Sequence, residues 1–133
     1  MALNLVTTGS NLALENLVNK TAPVDLTLRL YQNNATINNA LVVGGLTEAT
    51  FTGYSAIALN AAAWNAASSG SIATAAVKEF TSSAGSQSQT IYGYYLTNAA
   101  GTVLYWVEAF AGGPYTIVNN GDKIQVTPTI TAD

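Results

Sequence analysis

The chain has 133 residues and contains neither histidine nor cysteine. That removes Ser–His and Cys–His nucleophile–base pairs, the common zinc sites, and any disulfide or thiolate chemistry. Seven carboxylates remain. Glu108 and Glu79, each within an apolar strand pattern, are the two that could form a glycosidase-like pair, which needs about 5–10 Å between carboxyls. The simpler reading makes Glu108 a strand residue facing solvent or an interface, paired with Lys78 or Arg29. Asp25, Glu48, Asp122 and Asp133 are oxygen ligands of the type calcium takes, yet no Asp-x-Asp-x-Asp-Gly loop arranges them. Asn120-Gly121-Asp122 reads as a turn. A non-enzyme with no catalytic residues, cofactor or metal is expected.

The aromatic residues are the other candidates. In Thr90–Leu96, Tyr92 and Tyr94 should share one sheet face, opposite Ile91, Gly93 and Tyr95. There they would stack on sugars or form a subunit interface, or else pack across the strands. Trp106 and Phe110 are expected in the core.

Composition limits what such residues can serve. Only 8% of residues are charged and 49% are apolar, with a net charge of −3. An ordinary globular chain is about 25% charged. So uncharged a surface is poorly protected against association, which favours a protein that works in an assembly. Lys20, Arg29, Lys78 and Lys123 are scattered, so no basic patch for nucleic acid can be built. Met1–Ser10 lacks the basic and long apolar regions of a signal peptide, and no apolar run reaches membrane-span length, so no membrane partner is expected. Asn19-Lys20-Thr21 and Asn34-Ala35-Thr36 match the glycosylation sequon, by chance without a secretion signal.

The elements that would hold these residues are mostly strands. Met1–Thr8 reads as an edge strand or an arm reaching a neighbour. Ser10–Lys20 reads as a helix capped by Gly9 or Ser10, with Leu14, Leu17 and Val18 on one face. Barely three turns long, it must dock on something. Val24–Tyr31 alternates cleanly, with Leu26, Leu28 and Leu30 to one side. Thr50–Leu59 follows, with Gly53 marking a bulge or a close backbone neighbour. Asn60–Ala76 is Ala-rich, broken at Ser68–Ser71, and reads as a strand or loop around Trp64 and then a connection. Strands follow at Val77–Ser82, Thr90–Leu96, Thr102–Phe110, Tyr115–Val118 and Lys123–Thr131, with turns at Asn98–Gly101 and Asn119–Asp122. Thr102–Phe110 places Leu104, Trp106, Glu108 and Phe110 on one face and Val103, Tyr105, Val107 and Ala109 on the other. Both faces are apolar, so another sheet or a subunit should cover each side. Pro128 implies a strand edge or end. The spacing predicts an all-β domain, a β-sandwich or jelly-roll-like fold of about eight antiparallel strands with one short N-terminal helix. Residues 1–20 form an arm and helix, and residues 21–133 the sandwich.

The strings NLVTTGSNLALENLVNKTAP, TEATFTGYSAIAL, FTSSAGSQSQTIYGYYLTNAAGTVLYWVEAF and GPYTIVNNGDKIQVTP resemble a small structural protein of tailed-bacteriophage virions. The resemblance covers nearly the whole chain, is weakest at Leu41–Gly45 and Asn60–Ala76, and carries no catalytic motif. It implies a capsid cement, or head-decoration, protein made in the host cytoplasm. Its implied partner is the major capsid protein on the outer shell surface, and its implied state a homo-oligomer, a trimer. Under that reading Leu3, Leu5, Leu12, Leu14 and Leu17 of the N-terminal segment, with Tyr92 and Tyr94, are the interface candidates. The alternatives are a tail-associated receptor- or glycan-binding module, or a cell-wall hydrolase using Glu79 and Glu108.

Overall fold

A computed structural model describes residues 4–68 and 72–131, so Leu3, Asp133 and most of the Ser68–Ser71 break lie outside the described residues. The domain is all-β with one helix. A five-stranded antiparallel sheet runs in the order β1 (Asn4–Leu5), β8 (Leu104–Ala109), β7 (Gly93–Thr97), β2 (Leu26–Tyr31) and β3 (Ile57–Leu59). The alternation of β2 sends Leu28 and Leu30 into the main core, where each is fully buried. Gly101, at φ +72°, supplies the left-handed residue of the β7–β8 turn. Opposite this sheet lie three two-stranded ribbons: β4 (Ile72–Thr74) with β11 (Thr129–Thr131), β5 (Lys78–Thr81) with β10 (Lys123–Val126), and β6 (Gln89–Ile91) with β9 (Tyr115–Ile117). Phe80, Ile91, Ile117, Ile124 and Val126 from the ribbons meet Leu28, Leu30, Tyr94, Leu96 and Trp106 from the sheet. That contact is the sandwich core.

Several boundaries differ from expectation for identifiable reasons. The predicted strand Thr50–Leu59 shortens to β3 because Phe51–Tyr54 makes a turn through Gly53, at φ +96° and close against the Thr81–Ser83 backbone. The last strand splits into β10 and β11 around Thr127-Pro128, the latter having no N–H for a ladder. The Asn119–Asp122 turn joins β9 to β10, yet each of these pairs with a different strand. It is therefore not a hairpin, and a groove opens between its two arms.

The central strand β8 also departs from simple alternation. Thr97 pairs with Leu104 and Leu96 with Trp106, leaving Tyr105 as an extra residue without a partner. This bulge turns Tyr105 and Trp106 together into the main core, while Leu104 joins Val107 on the far face. The far face is covered too. Leu104, Val107, Tyr31, Tyr95 and Val6 form a second cluster closed over by Leu46, Leu41, Val43, Ile37 and Ala35. Thus the second cover is the 32–46 segment of the same chain, where a sheet or subunit was expected.

The helix, α1 (Thr7–Leu17), starts three residues before the predicted position, and its N-cap residue Val6 makes no side-chain cap bond. Gly9, the expected cap, instead lies inside the helix, where a methyl group would overlap the carbonyl oxygen of Tyr105. The same carbonyl accepts the Val6 N–H at 3.2 Å. The helix ends in a Schellman arrangement: Lys20 N–H reaches Glu15 O (2.8 Å), Asn19 N–H reaches Asn16 O (3.1 Å), and Asn19 is left-handed at φ 56°. In an exposed helix, alanine is favoured over glycine by about 1 kcal/mol. Here overlap with a backbone carbonyl should reverse the sign. We predict that Gly9→Ala destabilises the fold by about 1–3 kcal/mol in urea unfolding. Stabilisation would mean that α1 is not pressed on β8.

Candidate partner-binding surface

Glu108 and Glu79, the two carboxylates considered as a pair, lie on different sheets and each accepts hydrogen bonds from its own neighbours. Glu108 is buried, 5% exposed, with its Oε2 accepting the Tyr94 hydroxyl at 2.5 Å. Expected to face solvent or an interface, it is instead enclosed within the domain beside Tyr94 of the main core. Glu79 lies on the exposed face of the β5–β10 ribbon and accepts from Gln125, Thr81 and Lys123, which together hold its pKa below the usual carboxylate range. Arg29 pairs not with Glu108 but with Glu48, through Nη1 at 2.8 and 2.9 Å to the two carboxylate oxygens. The Tyr54 hydroxyl donates to the same carboxylate at 2.8 Å. The Asp122 Oδ2 caps the turn by accepting the Val118 and Asn119 N–H groups, which keeps its carboxyl low. Among the described residues no group of three or more acidic side chains gathers as a metal site.

The two tyrosines expected on one face are split. The chain passes from the β6–β9 ribbon into the five-stranded sheet at Tyr92, so alternation breaks there. Tyr94 is buried in the main core against Phe110, with ring centroids 5.8 Å apart, and is not a surface residue. Tyr92 is half-buried and packs on the outer cluster instead.

The N-terminal candidates give a different picture. Leu5 lies opposite Trp106 on the sheet edge and is 37% exposed. Gly9, Leu12 and Asn16, at helical spacing, form the least exposed side of α1. Leu12 packs on the main core. Leu14, Leu17 and Val18, the predicted docking stripe, point away from the body and are 61%, 81% and 70% exposed. Val24, just beyond the helix, is exposed as well. The helix thus turns a small and mixed face inward and its most apolar stripe outward. Beside it lies a shallow groove of about 390 Å³ lined by Thr8, Asn11, Leu12, Glu15, Thr21, Val103 and Tyr105. The apolar stripe was legible in the spacing; which way it faced was not, since the close approach at Gly9 decides that. Arg29–Glu48 and the Phe110–Tyr115 pair were missed, although Gly112-Gly113-Pro114 between the two aromatics signals a turn that brings them together.

No family model, curated protein or solved structure matches this chain. No described helix is long and apolar enough to cross a membrane.

The buried phenols make stability depend on pH at the alkaline end. Burial, with the nearby charge of Glu108, pushes Tyr31 up to about 12, and burial with Glu48 does the same for Tyr95. A folded pKa above the unfolded value of about 10 stabilises the neutral form, fully below pH 10. We expect this stabilisation to be lost as pH rises from about 10 through 12. Absorbance at the phenolate band should show these two rings titrating with unfolding. Titration of all tyrosines near pH 10 with the fold intact would contradict their burial.

Proposed function

We propose that this chain is a non-enzymatic structural protein that acts by docking α1 on a protein partner, and that it is a capsid cement protein of a tailed bacteriophage. The observation that carries the docking reading is the outward stripe Leu14–Leu17–Val18, three largely exposed apolar side chains gathered on one side of α1 near its C-terminal end. Covering a leucine or valine is worth about 1.5–3 kcal/mol, so three such side chains supply a useful share of a stable contact. The cement assignment, the major capsid protein as partner and a trimeric state rest on the resemblance of the sequence strings. The physics suits that role: holding subunit seams together needs a stiff scaffold and complementary surface, with no reaction.

Removing residues 1–20 would be a poor test, because Val6 is 1% exposed and α1 is pressed on β8. Point changes on the outer stripe avoid that problem. We expect Leu14→Asp with Leu17→Asp to retain the far-ultraviolet spectrum and unfolding midpoint while reducing incorporation into purified phage particles at least tenfold. Quantitative mass spectrometry of the unaltered particle should find hundreds of copies. A handful of copies would overturn the cement reading, and undiminished incorporation of the double variant would overturn the role of α1.

A further inference from the structure

The groove between the two arms of the Asn119–Asp122 turn has a volume of about 460 Å³. That lies within the roughly 300–1,000 Å³ common for small-molecule sites. Its lining combines Phe110, Tyr115, Thr116, Asp122, Lys123 and Gln125 above the apolar Ile117 and Ile124. Tyr115 is 46% exposed, yet its ring is held in place. One side packs on Phe110 with centroids 5.3 Å apart, and Phe110 in turn packs on Tyr94. Its hydroxyl lies over Gly112, close enough that a methyl group there would come within 2.9 Å of it. The turn after β8 therefore holds a half-exposed aromatic ring at the wall of the groove.

Charge narrows the ligand class. The two ionised lining residues have opposite signs and are already engaged inside the chain. Asp122 Oδ2 accepts two backbone N–H groups at 2.8 and 2.7 Å, and Lys123 Nζ sits 3.2 Å from Glu79. A phosphate or carboxylate ligand would meet a cation whose charge Glu79 already offsets. A ligand with an apolar face for the ring and hydroxyl groups for Thr116, Gln125 and the strand edges does not depend on that charge. A pyranose has those features: a C–H face that lies on an aromatic ring, and a rim of neutral donors and acceptors.

We propose that this groove binds an uncharged saccharide, one or two pyranose units of a larger glycan, with Tyr115 as the stacking platform. The site lies apart from α1 and stands whether or not the cement reading does. The experiment applies the intact chain, displayed in many copies on a bead so that several grooves engage at once, to a printed array of neutral and acidic glycans. Binding to neutral glycans is expected. The best binder, added to labelled protein, should shift the amide resonances of Thr116, Lys123 and Gln125 saturably. Tyr115→Ala should weaken binding about tenfold or more and Tyr115→Phe only slightly, since the ring supplies the stacking face. Leu14→Asp with Leu17→Asp should leave glycan binding unchanged. Silence across the array, binding to acidic glycans only, or amide shifts that persist in Tyr115→Ala would each overturn the proposal.

Discussion

The carbonyl of Tyr105 is where the two ends of the design meet. The extra residue in β8 rotates two consecutive aromatics into the main core, sending Leu104 and Val107 to the other side. It also projects a backbone oxygen that the Val6 N–H satisfies and against which only a glycine at position 9 can sit. That contact sets the roll of α1 about its axis. With Gly9 inward, Leu12 falls on the core and Leu14, Leu17 and Val18 fall outside. One irregularity in the central strand thereby determines which surface the helix presents.

Low charge shapes the loops as much as the surface. Apart from the turn that the Asp122 carboxylate caps, several of the chain's loops are fastened by neutral amides. Gln89 Oε1 accepts the Thr50 and Phe51 N–H groups, and Gln87 Oε1 accepts that of Thr52. Asn33 donates to Gly45 O and accepts from Thr47 N–H, closing the base of the segment that covers the outer cluster. Asn98 Oδ1 receives the Thr102 and Val103 N–H groups across the β7–β8 turn. Such bonds do not titrate and are little affected by salt. The less exposed of the two described ion pairs, Arg29 with Glu48, braces β2 against a residue two positions beyond the covering segment.

Much of this fold could be read from the chain. The alternation in Val24–Tyr31 put Leu28 and Leu30 together on one face, as found, while the opposite face with Thr27 and Tyr31 is buried as well. The two-sided apolarity of β8 correctly implied two covers. What pattern could not reveal was that residues 32–46, with their Asn-rich composition, would supply the second one. β4 was missed because Ile72–Thr74 is too short and too rich in small residues to carry a period. The functional surfaces were only half legible. Spacing identified the Leu14–Leu17–Val18 stripe but not its direction, and grouped Tyr92 with Tyr94 because a change of sheet between neighbours leaves no mark in a periodic pattern.

The join between β1 and the rest of the domain has a mechanical meaning. β1 meets β8 through two residue pairs, Asn4 with Val107 and Leu5 with Trp106, and Thr7 ties back to Asn39 through both its N–H and its hydroxyl. A load taken up by α1 therefore enters the five-stranded sheet at its β1 edge and also pulls on the outer covering segment. The ladder at β1 is far shorter than the one between β7 and β8. Under tension this edge has the shorter ladder to resist, so the pull falls also on the Val6 and Gly9 contacts with the Tyr105 carbonyl. The N-terminal segment is thus part of the body it would pull on, since detaching it would uncover Val6 from the outer cluster and Leu12 from the main core.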